Sequence, residues 1–245
     1  MTARGSLAIA ALAFHATLLP VPAMAQTHAV PSAVAPAPHS SPLISRKTAT
    51  VAGLLLGAAL LGDRSFREEA QEHRGNTTNS MAKLGNSFGE WRFVVPALGV
   101  GYLAGEVAGS SDLKRVILHA GAAAVLATGI SSGLKYTIGR NRPPVAGDPV
   151  QFRPFSGSNS FPSGHTAVAF AIATSIADET DDSWSDVALY GAATLTAMSR
   201  INDDRHWTSD VLVGGLIGHL SGRWVSQQMG PVRVVPGGVT VNLEF

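Results

Sequence analysis

Apolar runs of helical length dominate the sequence from Thr48 onward, and they constrain the fold more than any other feature. The runs lie at residues 48–62, 91–109, 111–138, 163–177, 184–198 and 208–227, with a short charged segment at 65–74. Ser111 is a predicted N-cap, and Gly139 is the predicted C′ residue of that helix. Residues 239–245 instead alternate apolar and polar side chains, as a β-strand does. We therefore predict an all-α fold, a compact multi-helix bundle with a small C-terminal β-hairpin at 231–245.

The N-terminal 45 residues differ from the rest of the chain. Residues 1–25 have the features of a secretory signal: Arg4, an apolar stretch at 7–19 and an Ala-Met-Ala site that ends at Ala25. Cleavage is expected before Gln26, with export to the periplasm; an uncleaved N-terminal anchor is the alternative. Residues 26–45 hold four prolines and no charged residue, which is typical of a linker. The helical domain is predicted over 46–230.

Composition excludes several classes of protein. Lys and Arg total 18 against 17 Asp and Glu, so no basic excess is present to neutralise nucleic acid. Hydrophobic residues make up 45% of the chain and charged residues 14%, which is the opposite of a disordered protein. The chain has no cysteine, so disulfides and thiolate sites are excluded.

Run length bears on whether the bundle crosses a membrane. Residues 116–134 contain no Lys, Arg, Asp or Glu and could span a bilayer, which needs about 20 apolar residues. The uncharged stretches at 166–177 and 211–218 are too short to do so. This favours a periplasmic bundle in contact with the inner membrane over a fully polytopic protein. Glycines at four-residue spacing in 101–109 and 214–222 predict helix faces that a neighbour approaches closely.

Three polar segments interrupt the apolar pattern, at residues 135–143, 162–165 and 199–210. They contain three permanent cations at helix ends or in a loop: Lys135, Arg142 and Arg200. Converging cations bind a phosphate-like dianion, and arginine offers forked donors that match its oxygens. Ser163 and Gly164 open a helix, so their backbone N–H groups are predicted to face the same anion.

Two histidines supply the remaining chemistry. His206 and Asp210 are four residues apart at the start of a helix and therefore share a face. Asp210 can accept a hydrogen bond from Nδ1, which leaves Nε2 free as a nucleophile. His165, on another helix, can donate a proton to a leaving group. The set describes phosphoryl transfer through a phosphohistidine.

Each of these elements alone has a structural explanation. Lys135 and Arg142 could be ordinary charges at a helix end and in a loop, His165 a capping residue, and His206 with Asp210 a local pair. Together, in this order and spacing, they favour a catalytic site. Asp203 and Asp204 precede His206; a solvated loop is predicted there, the alternative being carboxylates that discourage anionic substrates or tune His206.

The three segments resemble the signature of the type 2 phosphatidic acid phosphatase superfamily, which includes lipid phosphate phosphatases, bacterial class A acid phosphatases and vanadium haloperoxidases. The pattern Lys-x6-Arg-Pro, Pro-Ser-Gly-His and Ser-Arg-x5-His-x3-Asp is matched at every fixed position, within a resemblance that covers residues 46–227. It implies an all-helical bundle and no metal cofactor. By the same resemblance, His206 is the nucleophile, Asp210 its partner and His165 the general acid. Phosphate would be held by Lys135, Arg142, Ser163, Gly164 and Arg200.

The resemblance implies a periplasmic phosphatase that hydrolyses phosphate monoesters, with a small phosphorylated molecule or a lipid phosphate or pyrophosphate as substrate. A vanadate-dependent haloperoxidase is the alternative within the fold, because vanadate mimics the phosphoryl transition state. A non-catalytic envelope protein that keeps the scaffold is the alternative from another class. The sequence leaves the choice between lipid and soluble substrate, and the oligomeric state, open.

Overall fold

Eight helices and two strands make up the part of the chain that the computed structural model describes, residues 46–180, 182–235 and 238–243. The helices are α1 Arg46–Glu72, α2 Asn76–Gly89, α3 Trp91–Val107, α4 Ser111–Ile138, α5 Pro143–Ala146, α6 Gly164–Ala177, α7 Ser183–Asn202 and α8 Thr208–Gln228. The strands are β1 Met229–Val235 and β2 Gly238–Leu243. The predicted signal peptide and linker fall on residues 1–45, outside the described residues.

Helices α3, α4, α6, α7 and α8 occupy the runs that the sequence predicts. The expected break after residue 62 is wrong, since α1 continues through Asp63 to Glu72. Residues 64–72 consist mostly of Arg, Glu, Ala and Gln, all good helix formers, and their charged residues other than Arg67 lie on the exposed surface of the helix. Asp63 itself is buried inside the bundle.

Helix α2 was missed because its buried face carries almost no large apolar side chain. The buried residues are Ala82, Gly85 and Gly89, and the backbone at these positions packs closely on its neighbours. A Cβ at Gly85 would lie 2.5 Å from the Leu195 carbonyl oxygen of α7. Small residues at helical spacing produce no apolar stripe for a periodicity argument to detect.

The ends of α4 are fixed by local chemistry. Gly139 follows the helix in the left-handed conformation, with φ 60° and ψ 45°, as predicted for a C′ glycine. At the other end the N-cap is Ser110 rather than Ser111, because the Ser110 hydroxyl accepts the hydrogen bond from the Leu113 amide. Because α4 ends at Ile138, Lys135 lies in its last turn.

The core is built around α6, which packs against α4, α7 and α8. Fully buried alanines on α4 and α6, among them Ala123, Ala127, Ala167 and Ala171, form one cluster with Val225 of α8. The predicted glycine face on α8 is confirmed: a Cβ at Gly218 would collide with the Ala167 carbonyl of α6. This packing of α8 on α6 places the N-termini of the two helices side by side. The Ser163 amide donates there to the Asp210 carbonyl at 2.9 Å.

Large apolar side chains cover much of the outer surface. Leu61 of α1 is 92% exposed and Val107 of α3 is 91% exposed, and further exposed residues include Leu54, Val100 and Leu103. Two segments are long and apolar enough to cross a membrane, Ala49–Glu72 and Ser111–Ile138. Helix α6, with 14 residues, is shorter.

The last described residues form two antiparallel strands. Val232 pairs with Val241 and Val235 with Gly238, with an irregularity between Met229 and Val232.

Candidate active site

Four helix ends and one loop bring the sequence-predicted residues together. Lys135 comes from the end of α4 and Arg142 from the residue before α5, while Ser163, Gly164 and His165 open α6. Arg200 lies in the last turn of α7, and His206 and Asp210 flank the start of α8. These side chains are close enough to affect one another electrostatically. The pKa of His165 is lowered by burial and by repulsion from four of them: Arg200, His206, Lys135 and Arg142.

Asp210 is fully buried and accepts hydrogen bonds from several directions. Its Oδ2 accepts from the Trp207 amide at 2.9 Å and from the Ser160 hydroxyl at 2.5 Å, and its Oδ1 accepts from Arg140 Nη1 at 2.6 Å. His206 Nδ1 lies 3.6 Å from Oδ2, longer than a hydrogen bond, and has no other partner among the described residues. Such contacts are often long in the absence of substrate. The imidazole is 4% exposed and faces the carboxylate, as the four-residue spacing predicts.

The three cations surround a space in which some of their N–H donors have no acceptor among the described residues. Lys135 Nζ donates to the carbonyl oxygens of Asn159 and Pro162, both at 2.6 Å, and keeps one donor free. Arg200 Nη1 donates to Asn86 Oδ1 at 2.6 Å. Within the described part of the chain, the Nε atoms of Arg142 and Arg200 are buried without a partner. Buried donors without partners are costly, and an anion bound among them would satisfy them.

The start of α6 is used differently from the prediction. The Ser163 N–H donates to the Asp210 carbonyl, so it is not free for an anion, and the prediction for that amide is wrong. Its hydroxyl accepts from Thr166 at 2.9 Å. Amides in the first turn of a helix have no partner within the helix, so Gly164 remains suited to bind an anion.

Burial is the main influence on the pKa values of the site. It lowers the pKa of His165 to about 4, assisted by repulsion from Arg200 and His206. It also lowers the pKa of His206 to about 4, against the opposing effect of Asp210. Burial lowers the pKa of Arg200 to about 10, while Asp203 acts to raise it. Both histidines are therefore neutral at pH 7 in the absence of ligand.

Residues 116–233 match the PAP2 superfamily. The matched segment, which holds every predicted site residue, is a PAP2 superfamily segment. A lipid A 1-phosphatase of Porphyromonas gingivalis is 42% identical over 103 residues, which are 40% of this chain and 21% of that protein. The chain thus matches about a fifth of the length of this curated relative.

Two solved structures share the fold. The crystal structure of Aquifex aeolicus LpxE has a TM-score of 0.54 and 24% identity, over 66% of this chain and 93% of that chain. The transmembrane PAP2-type phosphatidylglycerolphosphate phosphatase of Bacillus subtilis has a TM-score of 0.54 and 20% identity, over 73% and 94%. At these identities the likeness establishes the fold alone.

A buried charge network behind the PAP2 site was not predicted. Arg140 is 1% exposed, and its guanidinium donates to Asp210, to Ser209 Oγ at 2.7 Å and to Asp63 Oδ2 at 2.7 Å. Asp63 also accepts from the Ser209 amide at 2.8 Å and the Ser209 hydroxyl at 2.6 Å. Asp63 precedes the matched PAP2 segment, so α1 supports the site from outside that segment. The one available sequence signal was a lone carboxylate at the end of an apolar run.

The pair Asp203 and Asp204 does not form a solvated loop. Arg67 of α1 donates to both oxygens of Asp204 at 2.7 Å, and Asn86 of α2 donates to Asp203 Oδ2 at 2.7 Å. The solvated-loop prediction is wrong because α1 and α2 reach this turn with complementary side chains. Since Asp204 is paired with Arg67, its negative charge is largely compensated.

Asp63→Asn is expected to lower the free energy of unfolding by about 3–5 kcal/mol, because it removes one partner of a buried ion pair and leaves Arg140 undercompensated. Thermal and denaturant unfolding of the purified protein measure the change. Glu68→Gln is the matched control on the same helix, since it breaks an exposed pair with Arg64 worth about 1 kcal/mol or less. Equal stability of the two variants would contradict the role assigned to Asp63.

Proposed function

We propose that this PAP2 protein is a metal-independent phosphatase that hydrolyses phosphate monoesters carried by membrane lipids. The observation that carries the proposal is the buried His206–Asp210 pair beside arginines whose Nε atoms have no partner in residues 46–180, 182–235 and 238–243. A phosphate group supplies the oxygens that these donors lack and places phosphorus next to the imidazole. The resemblance to a lipid A 1-phosphatase over 103 residues makes lipid A-type phosphates the first substrates to test.

In the first proposed step, His206 Nε2 attacks phosphorus while Lys135, Arg142 and Arg200 neutralise the phosphoryl oxygens. A P–N bond forms and the P–O bond to the leaving group breaks. His165 gives its proton to the departing oxygen, so the leaving group departs as an alcohol. Asp210 stabilises the positive charge that develops on the imidazole and holds Nδ1 as the protonated nitrogen.

In the second proposed step, His165 accepts a proton from water as the water oxygen attacks phosphorus. The P–N bond breaks and the electron pair returns to His206 Nε2. Inorganic phosphate leaves, and His165 is protonated again. One water molecule is consumed for each ester bond that is hydrolysed, and neither step requires a metal ion.

The exposed apolar surfaces of α1, α3 and α4 support a membrane location. We propose that these helices embed the bundle in the inner membrane, with the site near one surface because Lys135 lies in the last turn of α4. The same proposal includes a cleaved signal peptide, a linker at 26–45 and a periplasmic location. It also includes a phosphatase domain at 46–230 and a hairpin at 231–245 that lies outside the site. Extraction that needs only carbonate or high salt would contradict membrane embedding.

The purified protein should release inorganic phosphate from lipid A-type 1-phosphates or from phosphatidic acid in detergent micelles, as measured by a colorimetric phosphate assay. EDTA should leave the rate unchanged. Orthovanadate should inhibit competitively, because it adopts the five-coordinate geometry of the transition state. Loss of activity in EDTA that Mg²⁺ or Zn²⁺ restores would overturn the metal-independent mechanism.

The pH dependence follows from the two lowered pKa values. Since His165 has a pKa of about 4, the free enzyme lacks the proton that the leaving group needs at neutral pH. A substrate monoanion can transfer its own proton to His165 on binding, and phosphate monoesters lose that proton near pH 6. For an alkyl phosphate, kcat/KM should therefore fall about tenfold per pH unit well above pH 6. Below about pH 4, protonation of His206 should also stop the reaction.

A nitrophenyl phosphate is the control substrate for this pH profile. Its leaving group departs without a proton, so the alkaline fall should be much weaker than for an alkyl phosphate. A rate that stays level from pH 6 to pH 9 with the alkyl phosphate would contradict the role of His165 as proton donor.

A further inference from the structure

A cavity of about 370 Å³ opens next to His165, at the junction of α2, α3, α4 and α6. Lys135, Gly164 and His165 form the part that touches the catalytic site, whereas His206 is not among the lining residues. The remaining lining comes from the α2–α3 corner, from one face of α4 and from one residue of α6: Gly89, Glu90, Trp91, Arg92, Thr128, Ser131, Ser132 and Val168. The cavity therefore lies on the side of the site that holds the proposed general acid.

The lining is rich in groups that hydrogen-bond to hydroxyls. Ser131 is 1% exposed, and its hydroxyl has no partner in the described structure. Thr128 uses its proton for the Ala124 carbonyl at 2.8 Å, which leaves its oxygen as an acceptor. Glu90 and Arg92 form an ion pair at 2.8 Å and offer an acceptor next to a donor. Trp91 adds an aromatic surface.

A neighbouring cavity has the opposite character. It is also about 370 Å³ in volume, but it is lined mainly by apolar residues of α2, α3, α4 and α6, among them Phe88, Phe93, Leu98, Ile117 and Ile172. A hydrocarbon chain suits that lining, whereas in the polar cavity it would leave the Ser131 hydroxyl without a partner. An unpaired buried polar group costs about 1–3 kcal/mol.

We propose that the polar cavity binds the leaving group and selects one that carries hydroxyl groups close to the ester oxygen, as a sugar or glycerol does. The inference rests on the proposed function, because His165 must contact the leaving oxygen and this places the leaving group in the cavity that His165 lines. Ser131 and Glu90 determine the specificity. A site built to hydrogen-bond a hydroxyl discriminates strongly against an analogue that lacks it.

The test compares soluble phosphates with different leaving groups: glucose 1-phosphate, glycerol 1-phosphate and hexyl phosphate, with nitrophenyl phosphate as a reference. We expect the wild-type kcat/KM for glucose 1-phosphate to exceed that for hexyl phosphate by about tenfold or more. The glycerol compound distinguishes a small polyol from a sugar ring as the preferred group.

Two variants assign the selectivity to the cavity. Ser131→Ala should lower kcat/KM for glucose 1-phosphate about fivefold and Glu90→Gln about tenfold or more, with hexyl and nitrophenyl phosphate little changed. Retained nitrophenyl phosphate hydrolysis shows that the variants fold. Ser221→Ala is the matched control, since Ser221 is also a buried serine without a partner and does not line this cavity.

The outcomes separate the two proposals. Equal wild-type rates for glucose and hexyl phosphates, or equal losses for both in Ser131→Ala, would overturn the leaving-group selection while the phosphatase function stands. No phosphate release from any of the four compounds or from lipid phosphates would overturn the proposed function and this inference with it.

Discussion

His206→Ala is expected to lower kcat for phosphate release by about 10³-fold or more, the scale of loss when a nucleophile that acts together with its partners is removed. Lys135 and Arg142 remain as cations, so the variant should still bind phosphate and vanadate. Steady-state kinetics with nitrophenyl phosphate and vanadate titration measure the two effects separately. His73→Ala is the control, because His73 is an exposed histidine away from the site.

The nucleophile assignment has a second, direct readout. In His165→Ala, nitrophenyl phosphate should still phosphorylate His206, because its leaving group needs no proton. Hydrolysis of the P–N bond should be slow, because water is no longer deprotonated. An acid-labile phosphoenzyme should therefore accumulate and appear as a mass increase of the intact protein. Phosphate release by His206→Ala at more than about a tenth of the wild-type rate would refute the assignment.

Asp210→Asn is expected to reduce kcat by up to about 10⁴-fold with little change in KM. The amide has the shape of the carboxylate, but it loses the charge that faces His206 Nδ1 and stabilises the imidazolium. Arg142 and Arg200, which hold the phosphate in the proposed mechanism, do not depend on Asp210 for a hydrogen bond. The kcat and KM of the variant with nitrophenyl phosphate test this separation.

Asp63→Asn is the matched control for that experiment. Both variants remove one carboxylate from Arg140, so both should be destabilised to a similar degree. Asp63→Asn leaves the charge next to His206 intact and should change kcat far less. If Asp210→Asn keeps its kcat and only raises KM, or if the two variants lose kcat equally, then Asp210 acts through the scaffold alone.

Much of the candidate site could be predicted from local sequence. Lys135, Arg142, Arg200 and the His206–Asp210 spacing all lie in short motifs at predicted helix ends, and the structure brings them together. The closure of α4 by Gly139 and the glycine face of α8 that a neighbour approaches closely were also predicted, because a left-handed C′ residue and a glycine ridge depend on nearby residues only.

Helix α2 and the continuity of α1 were not predicted, because local periodicity describes large apolar side chains. The face of α2 is buried through Gly85 and Gly89, where backbone rather than side chain makes the contact. In α1, the charged stretch after Asp63 was read as a separate segment. This stretch continues the helix because Arg67 donates hydrogen bonds to Asp204, which lies 137 residues later in the chain.

The sequence by itself determined which groups perform the proposed chemistry and roughly which helix ends carry them. Only the tertiary structure decided what holds those groups in place. Asp63 and Ser209 are 146 residues apart, and their hydrogen bonds, with those of Arg140 to both carboxylates, exist because the bundle excludes water there. Asn86 reaches Arg200 for the same reason. Partners of a buried charge are fixed by packing across the whole chain, and no spacing within a motif encodes them.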